Sequence, residues 1–332
     1  MKKIKDLIIP VFISHQGCPH QCVFCNQNKI TGNDKPPSPA EVAEYLALHL
    51  GTVKSGAVVA FYGGSFTGLP RELQTEYLEA VGPFIKTGQV SGIRVSTRPD
   101  YIDEGALNLI KSLGVKTVEL GVQSLEADVL RLSGRGHTAE DSLRASAFVK
   151  ESGLELGIQL MAGLPGDSAD KFIATVARVI EAAPAFVRIY PALVVKGAPL
   201  EAQWRRGGYK PLSLEAAVAQ CAIAVKMFRA AGIKVIRLGL QPSKELEDAL
   251  LAGPYHPSFG HLVESELAFE RMSDAMAGTR TGKIEFLVNP RELSVYKGIK
   301  SYNIEKFRCL KKEITIKPAE EVQSGGLVMV AA

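Results

Sequence analysis

Three of the five cysteines lie close together in the chain, with Cys18, Cys22 and Cys25 at C-x₃-C-x₂-C spacing. Thiolates in so short a loop can converge on one metal centre, and iron–sulfur clusters are held by cysteines at such spacings. A 4Fe–4S cluster needs four ligands, and this loop offers three of them. The fourth iron would be open to bind another molecule. That is typical of a cluster that takes part in chemistry rather than one that only carries electrons.

Two other roles for these cysteines have to be compared with an iron–sulfur cluster. A disulfide framework fits poorly, because an odd trio in a long, cysteine-poor chain is not typical of a secreted scaffold. A structural zinc site is the stronger alternative, with His15 or His20 as a fourth ligand. The spacing alone leaves zinc open.

The residues around the cysteines carry a resemblance to a known family. The pattern Cys18-x₃-Cys22-x-Phe24-Cys25, placed just after an apolar run, resembles the signature of the radical S-adenosylmethionine (radical SAM) superfamily. The resemblance implies that the three thiolates hold a 4Fe–4S cluster whose open iron is chelated by S-adenosylmethionine. It also implies a low-potential electron donor of the flavodoxin or ferredoxin type, and a 5′-deoxyadenosyl radical that abstracts hydrogen from a substrate.

The composition is that of a globular protein with a large core. The chain has 332 residues, which suits a one-domain α/β barrel, and 46% of them are hydrophobic. The net charge of +4 neither requires nor excludes an anionic partner. No apolar run approaches the ~20 residues of a membrane span. Because the cluster needs reduced thiols, we expect a cytoplasmic protein.

Apolar segments typical of strands alternate with segments typical of helices. Repeated strand–helix units with right-handed crossovers give a parallel sheet covered by helices. We therefore predict an α/β fold with a partial (β/α)₆ TIM-like barrel, which the resemblance also implies, while a doubly wound open sheet is the alternative. The predicted strands of the barrel are Leu7–Ser14, Val58–Tyr62, Gly92–Thr97, Thr117–Val122, Glu155–Met161 and Val187–Tyr190.

The chain is predicted to divide into three parts. Residues 1–240 form the radical SAM barrel, residues 241–281 form a helical and loop connection, and residues 282–332 form a small basic α/β extension. Strands are expected in the extension at Lys283–Val288 and Glu313–Lys317.

Polar residues share one face of several predicted strands. Side chains alternate along a strand, so helices covering the apolar face leave the polar face pointing into the barrel. A barrel interior that is only structural is filled by Val, Ile and Leu. Burying polar groups without partners costs roughly 2–7 kcal/mol each. Pairing among these groups accounts for some of them, yet together they predict a polar ligand in the lumen. They include Arg94, Ser96, Arg98, Glu119, Gln123 and Gln159.

The radical SAM resemblance also implies cofactor-binding positions. The backbone at Gly63-Gly64 would bind the methionyl amino group, with Ser65 where many relatives have an acidic residue, and Arg135 would bind the methionyl carboxylate. An alternative for Arg135 is a surface arginine in a helix-capping loop. The remaining positions line the ribose or adenine pocket or otherwise contact the cofactor: Phe24, Ser96, Arg98, Gln123, Gln159 and Gly163.

A second resemblance concerns the middle of the chain. Arg135–Thr138, Arg188–Gly197 and Gly208–Pro211 resemble the radical SAM core of the Elongator catalytic subunit, which modifies wobble uridines of tRNA. The cysteine spacing is the superfamily's short form, not the longer arrangement of that subunit, and we expect no acetyltransferase domain in a chain of this length. We therefore predict a radical SAM enzyme acting on a tRNA base. The alternatives are a small-molecule substrate, as in oxygen-independent coproporphyrinogen oxidases, and a non-catalytic, metal-stabilised RNA-binding protein.

The predicted extension bears on the RNA hypothesis. Between Lys297 and Lys317, seven basic residues stand against two acidic ones, and Tyr296, Tyr302 and Phe307 are interleaved with them. Such a pattern suits phosphate contact combined with base stacking. A solvated basic face is an equally good interpretation.

Overall fold

The structure is a computed structural model that describes residues 7–32, 35–51, 53, 56–279 and 283–331. The predicted boundary between residues 281 and 282 lies outside these residues. The strands are β1 (Ile8–Phe12), β2 (Ala57–Tyr62), β3 (Val90–Thr97), β4 (Val115–Gln123), β5 (Glu155–Ala162), β6 (Phe186–Pro191), β7 (Val194–Val195), β8 (Lys234–Leu238), β9 (Leu250–Ala252), β10 (Lys283–Val288), β11 (Glu313–Pro318) and β12 (Leu327–Ala331).

The helices alternate with the strands over most of the chain. They are α1 (Gln27–Thr31), α2 (Pro39–Leu50), α3 (Arg71–Lys86), α4 (Glu104–Ser112), α5 (Ala127–Leu132), α6 (Ala139–Glu151), α7 (Ala169–Ala182), α8 (Pro199–Arg205), α9 (Leu214–Ala230), α10 (Lys244–Ala249), α11 (Phe259–Ala275), α12 (Leu293–Lys297) and α13 (Tyr302–Cys309). Short 3₁₀ turns lie at Phe66–Gly68, Pro99–Tyr101, Pro290–Glu292 and Ile299–Ser301. None of the described helices is long and apolar enough to cross a membrane.

The polar residues that precede the helices fix where these helices begin. Ser38 accepts a hydrogen bond from the backbone of Glu41, whose side chain accepts one from Ser38 N–H, which forms a capping box at α2. Thr138 and Asp141 form the same arrangement at α6. These caps satisfy backbone donors that have no partner inside a helix. Ser38 and Thr138 therefore mark the starts of α2 and α6.

Seven of the described strands form one parallel sheet in the order β1-β2-β3-β4-β5-β6-β8. The predicted parallel α/β barrel is confirmed, with β8 as a seventh strand beside the predicted six. The sheet is strongly curled. Tyr62 on β2 and Arg188 on β6 are joined by a 2.6 Å hydrogen bond. In a flat sheet, four strand spacings would separate these strands by about 19 Å.

Apolar side chains between the sheet and the surrounding helices form the main core, which includes Val59, Val95, Val118, Ile158 and Ile189. The other face of the same strands points into the curl. Its polar residues are therefore brought together from strands that are not neighbours, and this places the candidate site.

A second, smaller core lies under the last three strands. β10 pairs with β11 in parallel and with β12 antiparallel, and Phe286, Tyr296 and Phe307 are buried between this sheet and α11. β10 and β11 match the predicted strands, whereas β12 was not predicted. Helix α11 packs against both cores, since its Val263 belongs to the first and its Met272 to the second.

Candidate active site

The cysteine loop follows β1 and is held against the loop after β2 by backbone hydrogen bonds. Ile13 N donates to Tyr62 O at 2.8 Å, His15 N donates to Gly63 O at 2.9 Å, and Ser65 N donates to Gln16 O at 2.8 Å. The parallel pairing of β1 and β2 continues in this way beyond the strands. The loop that carries the cysteines is therefore positioned by the segment that carries the two glycines.

Gly64 is required by this contact between the two loops. A Cβ at Gly64 would lie 2.5 Å from Gln16 O and 2.6 Å from Ile13 O, which no real side chain tolerates. A Cβ at Gly17 would likewise lie 2.1 Å from Ser65 O. The glycines expected to approach a ligand thus also allow the two loops to pack backbone against backbone.

Cys18, Cys22 and Cys25 line one small cavity of about 120 Å³. Arg135 Nη1 donates to Cys22 Sγ at 3.1 Å, and Gln27 Nε2 donates to Cys25 Sγ at 3.5 Å. Burial and the neighbouring Cys22 raise the pKa of both other thiols, that of Cys25 to about 12. A cationic or metal partner would stabilise the thiolates against these effects.

The three cysteines fit a cluster better than a single ion. In the described part of the chain, no three His, Cys, Asp or Glu side chains are grouped so that they could hold one metal ion. A 4Fe–4S cluster makes a different demand, because each thiolate binds a different iron and the sulfurs need only surround a common cavity. The donor set present, with three thiols around one cavity and a guanidinium on one of them, fits that group.

The two histidines of the zinc alternative line the same cavity. His15 Nε2 accepts a hydrogen bond from the backbone N–H of Gln27 at 2.9 Å, so this nitrogen already has a partner. The His20 ring lies over Gly136, where a Cβ would approach it to 2.4 Å.

Arg135 is 5% exposed, so it is not a surface arginine. Its guanidinium contacts Cys22, donates from Nη2 to Gly121 O, and donates from Nε to His137 Nε2 at 3.2 Å. Burial, followed by the charge of Arg135, lowers the pKa of His137 to about 4. His137 is therefore neutral at physiological pH, and its Nε2 accepts from Arg135.

Arg98 lies beside Arg135 in the lining of the small cavity. It forms two hydrogen bonds with Asp100, at 3.0 and 2.8 Å, and donates to Arg135 O. Its Nη1 is buried and has no hydrogen-bond partner within the described residues. One donor of this guanidinium is thus available to a ligand.

Gln123 ends β4 in a strained conformation. Its φ is +67°, in the left-handed region that non-glycine residues rarely adopt, and the pairing of β4 with β5 is irregular just before it. Its buried Oε1 has no hydrogen-bond partner in the described structure. Strain and an unpaired polar atom in a cavity wall are features of ligand-binding positions.

Of the other predicted cofactor residues, some line the cavities and some do not. Phe24, Gly63, Ser96 and Gln159 line both the small cavity and the larger one described below. Ser65 is not in either lining, because its Oγ is hydrogen-bonded to Thr97 Oγ1 at 3.0 Å and accepts from Arg98 N. Gly163 is also outside both linings, and its carbonyl accepts from Tyr209 OH at 2.6 Å. Their roles stay predictions.

The small cavity adjoins a larger one of about 630 Å³ inside the curled sheet. Beneath it Glu119, with 0% exposure, accepts hydrogen bonds from Arg94 at 3.0 Å, Gln159 at 2.9 Å and Tyr62 at 3.3 Å. It also forms an ion pair with Arg188 Nε at 3.0 Å. The predicted pairing of polar lumen residues is thus real, and it is centred on Glu119.

Several residues that line this larger cavity were not predicted from the sequence, among them Tyr62, Arg188, Tyr190 and Arg237. Tyr62 and Tyr190 occupy lumen-facing positions by strand alternation, which was a usable signal. Arg237 lies on β8, whereas the predicted barrel had only the first six strands, so this residue was not placed in the lumen.

Comparisons with known proteins identify the family of this chain. The family model described as "Radical SAM superfamily" matches residues 12–179, and the model described as "Radical_SAM C-terminal domain" matches residues 184–268. A tRNA uridine(34) acetyltransferase of Methanocaldococcus infernus is 40% identical over 127 residues, which are 37% of this chain and 24% of that protein. Elongator complex protein 3 of Saccharomyces cerevisiae is 32% identical over 177 residues, 47% of this chain and 32% of that protein.

A solved structure shows the same fold. The archaeal Elp3 of Methanocaldococcus infernus, with an N-terminal deletion, superposes with a TM-score of 0.61 at 23% identity, covering 81% of this chain and 63% of that one. The chain thus spans about a quarter to a third of the two curated relatives and under two thirds of the solved one. The family match covers half of the chain and contains all three cysteines. The chain belongs to the radical SAM superfamily, whose cofactors are a 4Fe–4S cluster and S-adenosylmethionine.

Proposed function

We propose that this enzyme cleaves S-adenosylmethionine reductively and uses the resulting radical to abstract hydrogen from a nucleotide of tRNA. The observation that carries the proposal is the continuity of the two cavities. Cys25, Gln123 and Gln159 line both the cavity of the cysteines and the larger lumen. A radical produced beside the cysteines would therefore meet a substrate in the lumen without crossing solvent.

The chain would bind its cofactors with the residues of the small cavity. Cys18, Cys22 and Cys25 would hold the cluster, which when bound supplies the electron that splits S-adenosylmethionine into methionine and a 5′-deoxyadenosyl radical. Arg98 and Gln123 would each offer S-adenosylmethionine a polar atom that has no hydrogen-bond partner among the described residues. Arg135 places a buried positive charge beside Cys22, which suits the methionyl carboxylate.

The remaining groups of the lumen would orient the substrate. Glu119 is held by several donors, so it cannot turn toward the cavity without breaking them. Gln159 is fixed in the same way between Glu119 and Ser96, at 2.9 and 3.1 Å. Such a fixed wall keeps a substrate in one orientation while hydrogen is abstracted.

Two observations support tRNA as the substrate. Relatives bear the name tRNA uridine(34) acetyltransferase. In the C-terminal extension, Lys300 and Lys311 are exposed and make no ion pair within the described residues, and Tyr302 is 53% exposed. The base-stacking hypothesis was wrong for Tyr296 and Phe307, because both are buried in the second core. Tyr302 is therefore the aromatic residue of this pattern that is left for stacking.

Reductants are needed by all enzymes of this superfamily, and we propose a flavodoxin or ferredoxin type for this chain. Membership in an enzyme superfamily sets aside the non-catalytic alternative. The small-molecule alternative is the outcome expected if tRNA does not bind. The predicted cytoplasmic location stays a prediction.

The test begins with anaerobic reconstitution and chemical reduction in the presence of S-adenosylmethionine. Wild-type protein should contain iron and sulfide and release 5′-deoxyadenosine. Cys25→Ala should lose both properties, whereas the control Cys309→Ala, at an exposed cysteine outside the site, should keep them. Stoichiometric zinc without iron in the reconstituted wild type would contradict the proposal.

The tRNA part has its own test. Wild-type protein should bind tRNA with an affinity that falls as salt rises, since binding to phosphates releases counterions. A strain lacking the chain should lack one modified nucleoside that its parent contains. If the protein released 5′-deoxyadenosine normally but did not bind tRNA at low salt, tRNA would be ruled out as the substrate and a small molecule would be favoured.

A further inference from the structure

The curled sheet is open along one side. Within the described residues its order begins with β1 and ends with β8, and these two edge strands are not paired with each other. The larger cavity is lined from both edges, by Pro10 and Phe12 on β1 and by Ile236 and Arg237 on β8. Ile236 is 43% exposed, so the cavity reaches the surface at this gap. A substrate that enters through the gap passes Arg237.

Arg237 stands beside another arginine. The pairing of β6 with β8 places Arg188 and Arg237 at the same register, and both line the larger cavity. Like charges placed side by side on neighbouring strands destabilise a sheet. The pKa of Arg237 is lowered by burial and further by the charge of Arg188. Placing Arg237 beside Arg188 therefore destabilises the fold, and we look for a function that requires an arginine at this position.

No carboxylate compensates Arg237. Arg94 and Arg188 share the single carboxylate of Glu119, whereas Arg237 makes no ion pair in the described part of the chain. Its Nε donates to the carbonyl of Gly239 at 2.8 Å, and neither terminal nitrogen has a hydrogen-bond partner among the described residues. The larger cavity has no Asp or Glu among its described lining residues. The lumen therefore carries excess positive charge, concentrated at the gap.

We propose that Arg237 binds a phosphate of the substrate at the gap between β1 and β8. The proposal rests on the proposed function only for the nature of the substrate, a nucleotide. A base that is to meet a radical near the cysteines has to leave its stack and enter the lumen, while its phosphate stays near the entrance. A half-buried guanidinium with two free donors suits the two oxygens of a phosphate. Arg188 cannot bind this phosphate, because its guanidinium already forms an ion pair with Glu119 and donates a hydrogen bond to Tyr62 OH.

The test is calorimetric titration of the reconstituted enzyme, in the presence of S-adenosylmethionine, with uridine 5′-monophosphate and with uridine. Wild type should bind the nucleotide about tenfold or more tightly than the nucleoside, since a charge-assisted hydrogen bond accounts for that difference. Arg237→Gln should lose this preference. The control Arg206→Gln, at an exposed arginine that does not line the larger cavity, should keep it.

A second measurement separates binding from a structural role. Arg237→Gln removes a like-charge contact, so its melting temperature should equal or exceed that of wild type. A lower melting temperature, an undiminished preference for the nucleotide in Arg237→Gln, or a wild type that binds the two probes equally or not at all would each overturn the proposal. Calorimetry needs no turnover, whereas 5′-deoxyadenosine release needs no nucleotide. The phosphate site and the proposed function can therefore fail independently.

Discussion

Glu119 is the most informative residue to perturb, because two buried arginines depend on its charge. Arg94 and Arg188 each reach it at 3.0 Å, and their side chains are 12% and 17% exposed. In Glu119→Gln the size is kept and the charge is lost. One side-chain oxygen remains to accept a hydrogen bond. The new NH₂ group faces a guanidinium, and because both groups are donors they cannot form a hydrogen bond with each other.

The magnitude follows from the burial of the pair. Removing one partner of a buried ion pair costs about 3 to 5 kcal/mol, because the remaining charge is left uncompensated. Glu119→Gln leaves two such charges, so we expect a loss of about 4 to 5 kcal/mol in the free energy of unfolding. Arg94→Gln should cost less, since Glu119 keeps Arg188 as its partner.

The assay is urea unfolding at low salt, since urea is uncharged and does not screen the ion pairs. The matched control is Glu264→Gln, which breaks an ion pair with Arg229 whose side chains are 35% and 45% exposed. An exposed pair contributes about 1 kcal/mol or less. If Glu119→Gln and Glu264→Gln lowered the unfolding free energy by the same small amount, the assignment of Glu119 as the charge that holds the lumen together would be refuted.

Two further predictions concern Gly64, which lines the small cavity, and Asp167, which lies in the loop after β5. Gly64→Ala should lower the iron content of reconstituted protein, because the new Cβ would press on Gln16 O and displace the cysteine loop. The control Gly260→Ala, in helix α11, should leave the iron content unchanged, since a Cβ there makes only ordinary van der Waals contacts. Equal iron contents in the two variants would contradict the packing of the two loops. Burial raises the pKa of the Asp167 carboxyl to about 6. The folded protein therefore holds the carboxyl proton more tightly than the unfolded chain does. The stability that this proton contributes is present below about pH 4 and is lost as pH rises through about 6. Urea midpoints of wild type should therefore fall over this range relative to those of Asp167→Asn, and parallel pH profiles would show that the Asp167 carboxyl is not perturbed.

Local patterns were sufficient for much of the fold. The three-cysteine spacing and the strand alternation depend on residues a few positions apart, and the parallel barrel follows from the repeated alternation of strands and helices. The same period of two placed Glu119 and Gln159 on the inner face of the sheet. It did not show that β8 pairs with β6, because a local pattern does not specify which strands become neighbours in the sheet.

The extension shows where a sequence pattern misleads. Tyr296 and Phe307 lie among lysines in the chain, yet they are buried in the second core, since their helices face α11 and the last sheet. Lys306 and Arg308, counted as free positive charges, form ion pairs with Glu266 and Glu305. Interleaving along the chain does not tell which side of a helix is covered.

From the sequence came the three thiols, because the identity and spacing of Cys18, Cys22 and Cys25 are covalent facts that no folding changes, whereas this spacing alone left both zinc and a cluster open. The tertiary structure alone decided which groups meet across the lumen. Tyr62 and Arg188 touch although three strands lie between β2 and β6. Arg188 and Arg237 stand side by side, and within the described residues only Glu119 forms an ion pair with either of them. These contacts depend on the curvature of the sheet and the register of its strands, which arise from the packing of the whole chain rather than from neighbouring residues.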